Sequence, residues 1–227
     1  TVRQARGRVA GLGAPATVAL VAANVLVYLV TVAQGPGGMR PGGDWFERGA
    51  LVGVLVADGD WYRLVTAMFL QASVLHLAFN MLALWWLGSI VEQALGTWRY
   101  VLLYFASGLA GSAGALLLSG PLAFTVGASG AIYGILGALL ILEYLSTGSL
   151  AGPALTLIVL NLAITLAIPN ISIGGHVGGL VGGVLATLAL TQVRRVTRSA
   201  LAGPALVVLV AVVSVAVAWF RVESYVL

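Results

Sequence analysis

The sequence predicts an all-α membrane protein, a single domain over residues 1–227 built as a bundle of about seven transmembrane helices with a long interfacial loop between the first two. Three observations carry this expectation. Of 227 residues, 60% are hydrophobic and only 8% charged, against roughly 25% charged in an average soluble domain, and the mean hydropathy is +1.06. A water-facing surface cannot be built from that supply. The apolar residues fall into seven stretches of about 20, the length that a helix rising about 1.5 Å per residue needs to cross a hydrocarbon core about 30 Å thick. The segments between them are mostly short and rich in Gly, Pro and Ser, as turns require.

The first stretch, Pro15–Ala33, follows Arg3, Arg6 and Arg8 as a secretory signal would, but its roughly 19 residues exceed a signal's apolar core. It is expected to remain as an anchor helix. The connection after it, Gln34–Gln71, is the exception in length: GPGGMRPGGDW runs into FERGALVGVLVADGDWYRLVTAMFL and holds four of the chain's seven acids. That composition suits an interfacial loop with short helices of its own. Trp45, Phe46, Trp61 and Tyr62 belong in the aromatic belt at the bilayer surface, with Arg63 as a headgroup or loop-anchoring contact. The remaining stretches run near His76–Leu95, Tyr100–Leu118, Ser129–Leu145, Pro153–Ile168, Gly175–Gln192 and Pro204–Phe220. Gly134 and Gly137, and the interleaved rows Gly174, Gly178, Gly182 and Gly175, Gly179, Gly183, form small-xxx-small faces that let helices approach closely.

Orientation follows from arginine, because short loops carrying it stay in the cytoplasm. An inside amino terminus puts Arg3, Arg6, Arg8, Arg99, Arg194, Arg195 and Arg198 in the cytoplasm and Arg40, Arg48, Arg63 and Arg221 outside. The second, fourth and sixth helices then start at one common level on the outer side.

Several function classes drop out. The formal charge of +4 comes from eleven dispersed arginines that form no continuous phosphate-binding stripe, so no nucleic-acid partner is expected. The absence of cysteine excludes a disulfide framework and a thiolate nucleophile. Two histidines without HExxH spacing or a nearby carboxylate make a poor zinc set, so no metal is expected.

Those two histidines, His76 and His176, fall at the outer ends of the second and sixth helices, and the fourth opens with VGASGAIYG. Ser129 therefore lies at the depth of both. Polar groups at that depth usually face a protein interior or a water-filled cavity. A serine needs a positioned base to act as a nucleophile, and a neutral imidazole is the commonest one; Ser129 with His176 can form that pair. No acid lies near His176, and Glu92 and Glu143 fall toward the opposite ends of their helices, so a dyad is expected instead of a full triad. Acyl transfer also needs donors for an oxyanion. His76 and Asn80, spaced i, i+4, share one helix face, and the start of the fourth helix adds unpaired backbone N–H groups. Gly127 and Gly130 flank Ser129 and would let a substrate backbone come close. Taken singly, each polar residue is equally well read as a helix-bridging group; their meeting at one level favours a site.

WYR at Trp61–Arg63, HLAFNMLALWWLG at His76–Gly88, GASG at Gly127–Gly130 and GGHVGGLVGG at Gly174–Gly183 together resemble the rhomboid intramembrane serine proteases. The resemblance runs from the loop before the second helix through the sixth. It implies a rhomboid-like bundle of the six-plus-one class, with the extra span at the carboxyl end. It also implies Ser129 as nucleophile, His176 as base, and His76, Asn80 and the Ser129 backbone N–H as the oxyanion hole. Tyr133 matches the tyrosine that packs on the catalytic histidine in relatives. The implied substrates are single-span membrane proteins cut in the bilayer toward the outer side, with no metal, ATP or organic cofactor. Two departures stand out: Gln71 and Ser73 occupy the region where many relatives carry a further histidine, and Gly175 precedes His176 where Ala is common.

The expected setting is a bacterial cytoplasmic membrane, with the site opening outward and Ile168–Gly174, around Pro169, moving with the fifth helix as a gate. An inactive rhomboid-fold client binder is the alternative; such relatives usually lose the serine or histidine that this chain keeps. A transporter would show inverted repeats with paired broken helices, which the sequence lacks.

Overall fold

The computed structural model describes residues 13–169 and 171–225, the side chains of Arg194 and Arg195 excepted. Arg3, Arg6 and Arg8 of the orientation argument, and Asn170 of the expected gate segment, lie outside the described residues.

The chain runs α1 (Pro15–Ala33), α2 (Gly43–Gly49), α3 (Gly53–Ala57), α4 (Arg63–Thr66), α5 (Val74–Ala83), α6 (Ser89–Leu95) and α7 (Thr97–Leu118). It continues through α8 (Ser129–Thr147), α9 (Pro153–Ala167), α10 (Ile173–Leu188), α11 (Arg194–Thr197) and α12 (Ala202–Glu223). A π turn over Leu84–Gly88 joins α5 to α6, so the second apolar stretch is one span, Val74–Leu95. Among the described residues six helices are long and apolar enough to cross a membrane. The fifth stretch differs: α9 has 15 residues, about 22 Å at the usual rise. Gly152–Pro153 starts it late, and the bend at Ile168–Pro169 ends it early.

α10 lies between α7 and α8, and its glycines make that possible. A Cβ on Gly174 or Gly178 would fall onto the carbonyl oxygens of Gly114 or Ala110 in α7, and one on Gly179 or Gly183 onto those of Gly130 or Gly134 in α8. Gly137 answers from α8, its missing Cβ 2.7 Å from the Leu180 carbonyl. Gly175 departs from the expected row. It faces the Ser172 hydroxyl at 3.0 Å, because that serine caps α10 and folds back over the first turn. Between lipid-bathed helices such backbone-to-backbone contact supplies the packing energy that the hydrophobic effect supplies in water.

Both acids inside the bundle cap helices from outside. α1 has no capping side chain of its own; Glu92 accepts from the backbone N–H groups of Ala16 (3.0 Å) and Thr17 (2.7 Å) and from the hydroxyls of Thr17 (2.8 Å) and Thr97 (2.9 Å). The carboxylate, 1% exposed, satisfies orphan donors and lies at the positive end of the helix. Glu143 does the same for α9, accepting from Ala154 N–H at 3.0 Å. Glu92→Ala strands three buried donors and the part-buried Thr97 hydroxyl, and a loss of about 3–5 kcal/mol is expected, to be read as a fall in the unfolding midpoint in detergent.

The interfacial loop has a core of its own. Leu51, Val56, Leu64 and Ala67 pack on Ala113, Ala115 and Leu116 of α7 and on Ala218 and Val222 of α12. Arg63 is buried within it. Its guanidinium donates to Asp60 (2.9 Å) and to the carbonyls of Glu47 (2.9 Å) and Ala50 (2.8 Å), a loop anchor and not a headgroup contact. Trp45 and Tyr62 are exposed as belt residues should be, whereas Phe46 packs on Phe124. The same loop holds the strand of chain leading into α8: Leu51 and Thr125 exchange two backbone bonds of 3.0 Å, and Gly127 N–H donates to the Ala67 carbonyl at 2.9 Å. These ties fix where α8 begins.

Candidate active site

Three first turns meet at the loop end of the bundle. Ser73 caps α5, accepting from His76 N–H at 3.2 Å, and Ser172 caps α10, accepting from Gly175 N–H at 3.0 Å. These caps set the helix starts, so that His76 and His176 sit one turn in. Ser129 is the first residue of α8, which has no capping side chain, leaving its first N–H groups without an intrahelical or capping partner.

His176 Nε2 is 2.9 Å from Ser129 Oγ. Its ring stacks on Tyr133, centroids 4.1 Å apart and planes 17° from parallel, and its Nδ1 lies 2.7 Å from Thr165 Oγ1. The residues named from sequence for the dyad and its tyrosine therefore meet. Facing them, His76 Nδ1 accepts from Ala72 N–H at 3.1 Å. A backbone amide can only donate, so Nδ1 carries no proton and a neutral His76 holds its proton on Nε2, as a donor.

Gly127 shows how close these groups are. Its φ is +138°, and a Cβ there would lie 3.1 Å from His76 Nε2 and 3.4 Å from Ser129 Oγ. The missing side chain is the space between them. Gly130 does not share that role. A Cβ on it would lie 3.3 Å from the Gly175 carbonyl and 3.5 Å from the Gly111 α-carbon, so its lack of a side chain serves helix contact.

Asn80 is buried and aimed by a relay that the sequence did not disclose. Its amide donates to Gln71 Oε1 (2.7 Å), Gln71 donates to Asn24 Oδ1 (2.9 Å), and Asn24 donates to the Leu20 carbonyl in α1 (2.9 Å). One Asn80 N–H is thus committed, and the amide keeps a second N–H. Gln71 is fully buried, so the departure from the histidine pattern is a contact to the site. Among the described residues no group of three His, Cys, Asp or Glu could hold a metal ion.

The Rhomboid domain family matches residues 58–194, more than half of the chain, a range that holds Ser129, His176, His76, Asn80 and Tyr133. The chain belongs to the rhomboid family. Rhomboid protease GluP of Bacillus subtilis is 41% identical over 146 residues, 63% of this chain and 28% of that protein. Putative rhomboid protease YdcA of the same species is 34% identical over 60% of this chain and 71% of its own length. Rhomboid-type serine protease 2 of Emericella nidulans is 31% identical over 60% of this chain and 28% of its own. This rhomboid chain thus spans less than a third of two of the three relatives.

The sequence singled out Gln71 as a departure without assigning it a contact, and it gave no role to Asn24 or Thr165, which the fold also brings to the site. One signal was available for the last. Asn161 and Thr165 are polar at i, i+4 in the otherwise apolar run LIVLNLAITLA and so share a helix face.

Proposed function

We propose that this rhomboid chain is an intramembrane serine endopeptidase that hydrolyses peptide bonds in or near transmembrane helices of other membrane proteins. The observation that carries the reading is the 2.9 Å contact between His176 Nε2 and Ser129 Oγ. Ser129 Oγ attacks the scissile carbonyl carbon while its proton passes to His176 Nε2. The carbonyl oxygen becomes an oxyanion held by His76 Nε2–H, the second N–H of Asn80 and the Ser129 backbone N–H. Collapse breaks the C–N bond, and the amine leaves with the proton from His176. Water then enters, gives its proton to Nε2 and hydrolyses the acyl-enzyme, restoring Ser129. No cofactor takes part.

The setting is a bacterial cytoplasmic membrane, as the two Bacillus relatives favour. Arg40, Arg48 and Arg63 lie in the loop at the site end, and Arg221 donates to the Leu116 carbonyl there. The sequence carries seven arginines on the other side, Arg3, Arg6, Arg8, Arg99, Arg194, Arg195 and Arg198, against these four, so the arginine rule turns the site end outward, and cleavage falls toward the extracytoplasmic side.

The test is cleavage of a transmembrane substrate helix co-reconstituted in liposomes, with the products weighed. Wild type makes a defined cut; Ser129→Ala and His176→Ala make none. A folded wild type that cuts nothing across a panel of substrates moves the client-binding alternative forward. Gly127→Ala is expected to slow modification of Ser129 by a fluorophosphonate at least about tenfold, because the methyl lands 2.8 Å from the His76 ring and sits at an unfavourable φ.

A further inference from the structure

Thr165 Oγ1 has three polar neighbours: the Asn161 carbonyl at 2.8 Å, Tyr133 Oη at 2.9 Å and His176 Nδ1 at 2.7 Å. It is buried on α9, away from bulk water that could rearrange these bonds. A hydroxyl has one proton and two accepting lone pairs. The Asn161 carbonyl has no proton to give, so that contact uses the Thr165 proton. The two remaining contacts must then be accepted, one from Tyr133 O–H and one from His176 Nδ1–H. All three contacts are satisfied only in this arrangement.

We infer that Thr165 is a positioning residue that fixes His176 as the Nδ1–H tautomer, leaving the Nε2 lone pair directed at Ser129 Oγ. The inference rests on the proposed dyad. In a Ser-His-Asp triad a carboxylate holds the tautomer and the ring orientation; here the two tasks are divided. Thr165 sets the proton, and Tyr133 sets the plane, by stacking on the ring and by bonding to Thr165. Among the described residues no carboxylate is bonded to His176, and Glu92 and Glu143 serve as helix caps at the other end. His76 takes the opposite tautomer, since Ala72 N–H occupies its Nδ1. The same side-chain type thus serves as acceptor at one edge of the cleft and donor at the other.

The chain has only two histidines, so the inference can be tested without activity. In 15N-histidine-labelled wild type in liposomes, nitrogen NMR above the titration range should show one Nδ1–H ring and one Nε2–H ring, and the His76→Gln variant should retain the Nδ1–H ring alone. Thr165→Val keeps the shape but not the acceptor. It should lose the Nδ1–H signal and lower kcat about 10- to 100-fold with KM changed less than about twofold; Thr165→Ser should restore both. Two Nε2–H rings in wild type overturn the inference whatever the variants do, as does a Thr165→Val enzyme with wild-type kcat and tautomer. Wild type that shows the two tautomers and cleaves nothing overturns the protease reading and leaves the tautomer assignment standing.

Discussion

Cleavage of a reconstituted substrate helix is expected to disappear in Ser129→Ala and in His176→Ala. Ser129 Oγ has no substitute: among the described residues it is the only hydroxyl bonded to His176 Nε2. In a soluble serine protease, loss of either member of such a pair costs about 10⁶ in kcat, which would put cleavage below detection here. His76→Ala and Asn80→Ala test the other half of the cleft and should each cost about 10²–10³ in kcat with little change in KM, because oxyanion donors act when charge develops. The grading carries the information. Equal, small losses in all four variants, or residual cutting by Ser129→Ala at the wild-type bond, would refute the assignment.

The second large effect is on packing. Gly179→Val puts a branched side chain where the Gly130 carbonyl already sits, a backbone atom that cannot rotate aside. α8 and α10 must separate, at a cost of about 1–3 kcal/mol or more. The same separation pulls His176, three residues earlier in α10, away from Ser129 in α8. Since a displacement near 1 Å can cost about 100-fold in rate, activity should fall by at least that factor along with the unfolding midpoint. Gly120→Ala is the control, as no atom lies within 4 Å of its would-be Cβ, and both measurements should stay at wild type. A stable, active Gly179→Val would show that the helix crossing is looser than its geometry implies.

Some elements were plain in the sequence and others were not, for physical reasons. Pro15–Ala33 was legible to the residue, because Pro15 starts the helix and the Gly-rich segment after Gln34 stops it. The level shared by Ser129, His76 and His176 followed from alternating helix direction over the seven apolar stretches, with the short α9 counted as a crossing. Gly174, Gly178, Gly179 and Gly183 announced close contact, though not with which helix, since a row of small residues has no partner written into it. Glu92 and Glu143 could be placed away from the site but not recognised as caps, because the N–H groups they accept from lie 76 residues upstream, on Ala16, and 11 downstream, on Ala154. The contacts of Gln71 and Thr165 were missed for the same reason. Each residue acts through bonds to residues on other elements, and such bonds leave no period in the sequence.

The shortness of α9 bears on the lipid as much as on the protein. Thr165 reaches His176 near one end of the helix and Ala154 reaches Glu143 near the other, so its 15 residues must serve as a full edge of the bundle. Against a hydrocarbon layer about 30 Å thick, about 22 Å of helix leaves several ångströms unmatched, at a fraction of a kcal/mol for each. A bilayer that answers this mismatch by thinning at that edge shortens the distance from water to the first turns of α8 and α10. Hydrolysis inside a membrane needs a short path for water, and on this side the path is set by how far the lipid can be bent.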